Sequence, residues 1–340
     1  MIAFKEIEEE IYKKFINEIK PLSFLQNFEW GEVEKRLNKK VYRFGVFLNE
    51  NIIGVLQLIG NFAKRGNFLS IAHGPVLKES YKEYFEEVVK NLIIFIKREN
   101  KFKNFIFLRA NFLFEYDENT LNNLLRIGFK ISPKLFVTDN FWIKNLEKDV
   151  NTLLDEASLH HKKLILEAEN KPFLEIEKTQ DFNKIGVFLE LYKKLAHLKN
   201  FIPYPDELIK EEFKEFVSKN SAYLYLGKVE NKYVSGAIII FANNCAFYHH
   251  GASEPIKEPI NYKLHWKVVI DAKEMGCKFY NFWGITEKGP EHPWYGLTLF
   301  KKGFGGELVK FLPTLDYPLS WKYYLTYFYE KLKYRSRLRG

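Results

Sequence analysis

Residues 279–307 read FYNFWGITEKGPEHPWYGLTLFKKGFGGE, in the order strand, loop, short helix, glycine turn. The loop places Trp283, His292, Pro293, Trp294 and Tyr295 within thirteen residues. Ordinary loops are small and polar. An aromatic, rigid one suits the wall of a pocket. The pattern predicts a short strand over Lys278–Phe282 and a helix over Leu297–Lys302. That helix carries Lys301 and Lys302, stops at Gly303-Phe304-Gly305-Gly306 and leads into a closing strand, Leu308–Phe311.

This order decides the fold because it ends a longer series that occurs twice. Ahead of it, Tyr223–Val229 and Tyr233–Ala242 pair around Glu230-Asn231-Lys232, a hairpin turn. Cys245–His250 follows as a third strand and Pro259–Met275 as a long helix. The first half repeats the series with the hairpin Val41–Leu48 and Ile52–Gly60, the strand Phe68–Ala72 and the helix Tyr81–Arg98. It continues with the strand Phe105–Arg109, a helix Asn119–Ile127 stopped by Gly128, and a strand Lys134–Ile143. Helices over residues 1–20 and Phe28–Leu37 precede the first hairpin, as Phe182–Leu198 and Pro205–Ser218 precede the second. Gly45 and Gly54 match Gly227 and Gly236, Asn104-Phe105 matches Asn281-Phe282, and Ile127-Gly128-Phe129 matches Lys302-Gly303-Phe304, which makes Arg126 and Lys301 equivalent. Two copies of one α/β unit are therefore expected. They span 1–148 and 149–317, each a mixed sheet with flanking helices. A C-terminal helix over 318–338 is expected to pack back on the first.

At 340 residues the chain has room for two domains. Its 46% hydrophobic and 17% aromatic content fills cores and excludes a disordered protein. Cys245 and Cys277 offer neither a disulfide framework nor a metal spacing and fit a reducing cytoplasm. The first residues, MIAFKEIEEEIYKK, are charged and read as a helix rather than a signal peptide. No apolar run approaches the ~18–20 residues needed to span a bilayer. A cytoplasmic protein is expected, with peripheral contact at the inner face of the membrane left open. The net charge of +9 favours polyanions such as RNA, nucleotide phosphates or anionic lipid; simple solubility accounts for it equally well, and both readings stay open.

Lys301 sits one turn before a glycine break, beside aromatic residues. There a lysine holds a phosphate or the oxyanion of an acyl transfer, or merely answers the helix dipole. Strand alternation puts Tyr248 and His250 on one face, suited to orienting an amine or a sugar, and turns His249 away. His160 and His161, beside Lys162 and Lys163, read as a solvated face or an RNA contact. His73 and His292 fall in loops expected at a cleft edge. No His-x-x-x-His or Cys-x-x-Cys spacing exists, so no metal is expected. Gly-x-Ser-x-Gly and Walker A motifs are absent as well, which leaves direct attack by a substrate amine as the simplest transfer chemistry.

The element order is similar to the acyltransferase fold of the N-acetyltransferase (GNAT) type. The Arg/Gln-x-x-Gly-x-Gly/Ala loop of its acetyl-CoA users reads Phe300-Lys301-Lys302-Gly303-Phe304-Gly305 here, so coenzyme A is not expected. Phe24-Leu25-Gln26-x-x-x-Trp30-Gly31 resembles the opening motif of the FemABX family of peptidoglycan bridge-forming aminoacyltransferases. Tyr280-Asn281-Phe282-Trp283-Gly284-Ile285 and His292-Pro293-Trp294-x-Gly296-Leu297-x-x-Phe300-Lys301-x-Gly303-Phe304-Gly305-Gly306 resemble its closing motif. Tyr248-His249-His250-Gly251-Ala252-Ser253 and Asp316-x-Pro318 fit too.

The resemblance implies two tandem GNAT-like domains of the compact type without a helical arm. It implies transfer of an amino acid from aminoacyl-tRNA to a stem-peptide amine of UDP-MurNAc-pentapeptide or lipid II. Aminoacyl-tRNA would be co-substrate, with no cofactor and a monomer as the default. It ties Lys301 to catalysis, with Tyr248 and His250 beside it. Lys35 and Arg36 would meet phosphate, Lys35 one position from the family's lysine, where Glu34 stands. His73, Arg109, Trp283, His292, Trp294 and Phe300 would contact substrate. The departures are His73-Gly74-Pro75 for Arg-Gly-Pro, Leu198 and Leu166 for expected arginines, and Asn111 near a position that is often acidic. They imply a precursor held differently or modified. The rival readings are transfer to a lipid, protein or small-molecule amine, and a non-catalytic module that binds tRNA or precursor.

Overall fold

The computed structural model describes residues 1–64 and 66–337, so the expected end of the last helix at Leu338 lies outside the described residues. The chain forms two compact units, one of residues 1–139 with 310–340 and one of residues 140–309.

In chain order the first unit opens with strands β1 (Ile2–Glu6), β2 (Lys40–Leu48), β3 (Asn51–Asn61), β4 (Phe68–Ala72), β5 (Val76–Leu77), β6 (Phe107–Asn111) and β7 (Lys130–Ile131). The second holds β8 (Asn140–Asn145), β9 (Leu174–Thr179), β10 (Ala222–Val229), β11 (Lys232–Ala242), β12 (Cys245–Ser253), β13 (Phe279–Gly284) and β14 (Glu307–Lys310). The chain then returns to the first unit for β15 (Leu315–Pro318) and the helix Tyr323–Arg337.

Each unit is a mixed sheet with flanking helices. The first sheet runs β1-β2-β3-β4-β6-β15-β7, with β5 beside β3; the second runs β14-β8-β13-β12-β11-β10-β9. β4 and β6 run parallel in one, and β12 and β13 in the other. The repeat is visible in this order. The hairpin turn between β10 and β11 puts Glu230 and Asn231 at φ 48° and 66°. Positive φ at both central residues matches the right-handed twist of the strands. β3 and β11 are buried on both faces, as central strands covered by helices must be. The helix Phe85–Arg98 lays Phe85, Val88, Val89, Leu92, Ile93 and Ile96 into the first core at helical spacing. In the second core the helix Ile260–Glu274 contributes Leu264, Val268, Val269 and Ala272.

Three expectations are corrected. Residues 2–6 are a strand paired with β2, not the start of a helix, which occupies Glu9–Ile19; the alternation Ile2-Ala3-Phe4 buries one side of a short sheet edge. The break between units falls at 139/140 and 309/310, not at 148 and 317. β8 follows the first repeat in sequence but pairs with β13, Phe279 facing Asn145. β15 follows the second repeat but pairs with β6, Leu315 facing Ala110. Each sheet thus takes its inserted strand from the far side of the other unit in sequence, an exchange that chain order does not reveal. The proposed match of Asn104-Phe105 with Asn281-Phe282 also fails, because Phe105 precedes β6 whereas Phe282 lies inside β13.

Candidate active site in the second unit

β13 does not finish regularly. Asn281 pairs with Ile143 and Gly284 with Phe141, so Phe282-Trp283 bulges. Trp283 takes φ 64°, a conformation that bulky side chains rarely adopt and that clusters at functional sites. Its N–H donates to Asn281 Oδ1 at 2.7 Å. Its indole stacks on Phe141, ring centres 5.1 Å apart.

The helix Tyr295–Lys302 then breaks ordinary patterning. It buries Thr298 and Lys301 while Leu297 and Leu299 are 42% and 51% exposed. A polar-in, apolar-out helix is the kind of local conflict that functional sites carry. Thr298 Oγ1 accepts from the Thr286 N–H at 3.0 Å and ties the aromatic loop to the helix. Lys301 Nζ donates to the Gly284 carbonyl at 2.6 Å and lies 5.6 Å from the centre of the Tyr248 ring. Among the described residues no carboxylate pairs with it. Burial pushes the ammonium down to about 7.

The glycine turn holds this arrangement. A Cβ on Gly303 would lie 1.9 Å from the His161 ring, and one on Gly306, at φ 108°, would lie 2.4 Å from the Ile143 carbonyl. His161 accordingly leaves the solvated face expected for it. It is buried, with Nδ1 3.0 Å from Ser158 Oγ and Nε2 2.9 Å from the Phe300 carbonyl. Phe300 packs against Tyr262 and His265.

Behind Lys301 lie two groups the sequence did not flag. Tyr248 meets His265 edge-on, centres 4.5 Å apart. His265 Nδ1 and the Tyr280 hydroxyl share a hydrogen bond of 2.7 Å. Burial, reinforced by the charge of Lys301, pushes His265 down to about 3, so its imidazole stays neutral. The available signal was a histidine inside the apolar face of a long helix, which composition cannot tell from core.

His250 does not share a face with Tyr248. Ile238 faces His250 and Ile239 faces Tyr248, so His249 is an extra, bulged residue. Alternation therefore fails there, and both imidazoles reach Glu212 on the helix Asp206–Ser218. His249 Nδ1 is 2.7 Å from Oε1 and His250 Nε2 is 3.1 Å from Oε2. Glu212 is fully buried; burial alone would raise its carboxyl, but the two imidazoles outweigh it and hold the group at about 2. These three residues could hold a metal ion, since their ligand atoms lie within 4.8 Å of one another. The separations of 2.7 and 3.1 Å are those of hydrogen bonds, shorter than the roughly 3.3 Å kept by two ligands on a tetrahedral zinc with bonds near 2.0 Å. His249 also stands edge-on to Trp283, centres 5.2 Å apart, and so links the two clusters. His292 and Trp294 form the outer part of the loop, with the Trp294 N–H donating to His292 Nδ1 at 3.1 Å.

The expected residues of the first unit fare differently. Lys35 is exposed and paired with Glu32 at 2.8 Å, and Arg36 is exposed beside it. His73 is not at a cleft edge: it is 1% exposed, with Nδ1 2.8 Å from Ser23 Oγ and Nε2 3.1 Å from the Thr138 carbonyl. Arg109 is not open to substrate: its guanidinium donates to Asp316 at 2.8 and 2.9 Å and to Glu330 at 2.6 and 3.3 Å. Burial works against its charge, and the two carboxylates more than restore it. Asn111 is buried and bonded to Val137 and Thr314. Leu198 and Leu166 stand on the surface, 54% and 45% exposed.

A sequence model of the FemAB family matches residues 7–122 and 206–331, well over half of the chain. The chain belongs to the FemAB family. The second matched segment holds Glu212, Tyr248, Trp283 and Lys301, whereas His161, Leu166 and Leu198 fall between the segments. A lipid II:glycine glycyltransferase of Staphylococcus haemolyticus is 29% identical over 183 residues, 52% of this chain and 41% of that protein. The chain thus spans about two fifths of that curated relative's length. The solved structure of FemX superposes with a TM-score of 0.79 at 19% identity, covering 95% of this chain and 99% of that one. A tandem GNAT protein from the clavulanic acid pathway superposes at 0.60, with 9% identity over 93% of this chain and 98% of its own. These likenesses establish the tandem GNAT fold of a FemAB-family chain.

Proposed function

We propose that this chain is an aminoacyltransferase that moves an amino acid from aminoacyl-tRNA to a stem-peptide amine of a peptidoglycan precursor, UDP-MurNAc-pentapeptide or lipid II. Membership of the FemAB family and similarity to lipid II:glycine glycyltransferases support the reaction class. The observation that carries it is Lys301, a buried lysine without a carboxylate partner among the described residues, inside the family's closing motif. Perturbed, uncompensated groups of this kind mark reactive sites.

The neutral amine of the acceptor attacks the ester carbonyl of the aminoacyl-tRNA. A C–N bond forms, the C–O ester bond breaks, and the amine's proton leaves with the ribose hydroxyl. Lys301 as ammonium donates to the oxyanion of the tetrahedral intermediate. With its proton held near pH 7 it can also relay that proton. Tyr248 supports its cation, and Trp283, His292, Trp294 and Phe300 line the substrate side, with His250 held by Glu212. Lys35 and Arg36 meet phosphate as charge-assisted donors. No cofactor takes part. The basic surface holds the tRNA acceptor end, so activity falls with salt. The reaction takes place in the cytoplasm, at the inner face of the membrane when the acceptor is lipid-borne, and a monomer suffices.

A panel of charged tRNAs mixed with either precursor, read by mass, tests this. Addition of one amino acid residue is expected, and Lys301→Ala is expected to lose it while staying folded. Full activity of that variant would remove Lys301 from the chemistry, and no addition to either precursor would overturn the reading.

A further inference from the structure

The helix Tyr323–Arg337 is built inside out. Its inward positions are Tyr323, Thr326 and Glu330: Tyr323 is fully buried with its hydroxyl donating to Asp316 Oδ2 at 3.2 Å, Thr326 is buried, and Glu330 pairs with Arg109. Its outward positions are Trp321, Leu325, Phe328 and Leu332, which are 70%, 65%, 58% and 72% exposed. Their spacing of four, three and four makes one continuous stripe along the helix and the turn that leads into it. A row of large apolar side chains in water marks an interaction surface.

The charge around the stripe selects the occupant. Residues 321–340 contain six Lys and Arg against Glu330 alone, and Glu330 is spent on Arg109. Lys322 and Lys331 are exposed. A second copy of the same basic face would be repelled, and a nucleic acid would meet the charges but leave the apolar row wet. An interfacial helix with Trp, Phe and Leu on one side and Lys or Arg beside them is the arrangement that lies on an anionic bilayer. No helix of the described residues is long and apolar enough to cross a membrane.

We propose that Trp321, Leu325, Phe328 and Leu332 seat this protein on an anionic lipid surface, with Lys322 and Lys331 against the headgroups. This extends the reading above by naming the face that brings the protein to a lipid-borne acceptor, but the docking itself needs no catalysis.

The test is cosedimentation of the whole chain with vesicles of phosphatidylglycerol and phosphatidylcholine, and with phosphatidylcholine alone. Binding to the anionic vesicles is expected to fall at least about tenfold in the double variant Leu325→Ser, Phe328→Ser. It is expected to fall about fivefold per lysine in Lys322→Glu, Lys331→Glu. All of these positions are exposed, so the variants stay folded, and the serine variant keeps its transfer to UDP-MurNAc-pentapeptide. Absence of vesicle binding by the natural chain overturns the proposal. So does binding indifferent to both variants, or a dimer in sedimentation that the serine variant dissolves. Failed transfer with vesicle binding intact would instead overturn the catalytic reading and leave the docking standing.

Discussion

Arg109 of the first unit and Lys301 of the second are both buried cations, and they are treated in opposite ways. Arg109, on β6 of the first unit, lies between Asp316 and Glu330 and spends its donors on them. Lys301, in the second unit, has a backbone carbonyl and the face of a tyrosine ring and no carboxylate among the described residues. Burying a charge is costly unless it is paired. The first unit meets that cost and obtains a clamp on its C-terminal helix. The second leaves it unmet, and the result is a lysine whose proton is loosely held near neutrality. A compensated buried charge reads as architecture and an uncompensated one as chemistry.

The sharpest way to break this contrast is Arg109→Met. Removing one partner of a buried ion cluster strands the other charges, at about 3–5 kcal/mol. The variant is expected to melt far below the natural protein, and any lost transfer should track the lost fold. A folded Arg109→Met protein that alone loses precursor binding would return Arg109 to the substrate.

Lys301→Met should do the reverse. Transfer is expected to fall about 10²–10³-fold, the usual loss for a donor aimed at an oxyanion, with no loss of stability. The pH dependence has a defined sign. In the folded chain the Lys301 proton is held at about 7, against 10.5 as its ordinary value. Between those values the unfolded chain keeps a proton that the folded chain has released, so the natural protein gains stability as pH rises from about 7 to about 10.5. The methionine variant lacks that penalty. Its advantage in melting temperature should be largest below pH 7 and vanish towards pH 10.5. A constant gap between the two proteins across that range would show that Lys301 is not held in this way.

The contrast also explains what could be read from the residues alone. Hairpins, long helices and the doubled α/β series were legible because period and turn chemistry are local, as at Glu230-Asn231. Lys301 stood out as a candidate because a long motif surrounds it. The strand exchange was not, because β8 and β15 pair across more than a hundred residues and nothing in Phe141-Trp142-Ile143 names its partner. Arg109 looked available because burial and the reach of Asp316 and Glu330 exist only after folding. His265, Tyr280 and Glu212 were missed for the same reason. The bulge at His249 reversed an argument from alternation that one inserted residue is enough to defeat.

Glu212→Gln probes a case between the two cations, a buried anion held by two imidazoles. The amide keeps one acceptor and can keep one imidazole, so the cost is expected to be about 1–3 kcal/mol, less than at Arg109. The sign again follows from the shift. The folded carboxyl is held at about 2, below its ordinary 4.5. Its contribution is therefore fully present above about pH 4.5 and lost as pH falls towards 2. Glutamine has nothing to titrate, so the difference in melting temperature between the two proteins should be greatest near neutrality and close on acidification. Because His249 leans on Trp283, transfer should weaken mainly through KM, with kcat nearly kept, if the cluster only positions the loop. A fall in kcat comparable to that of Lys301→Met would place Glu212 and its histidines in the reacting machinery and make the second unit's site larger than Lys301 alone.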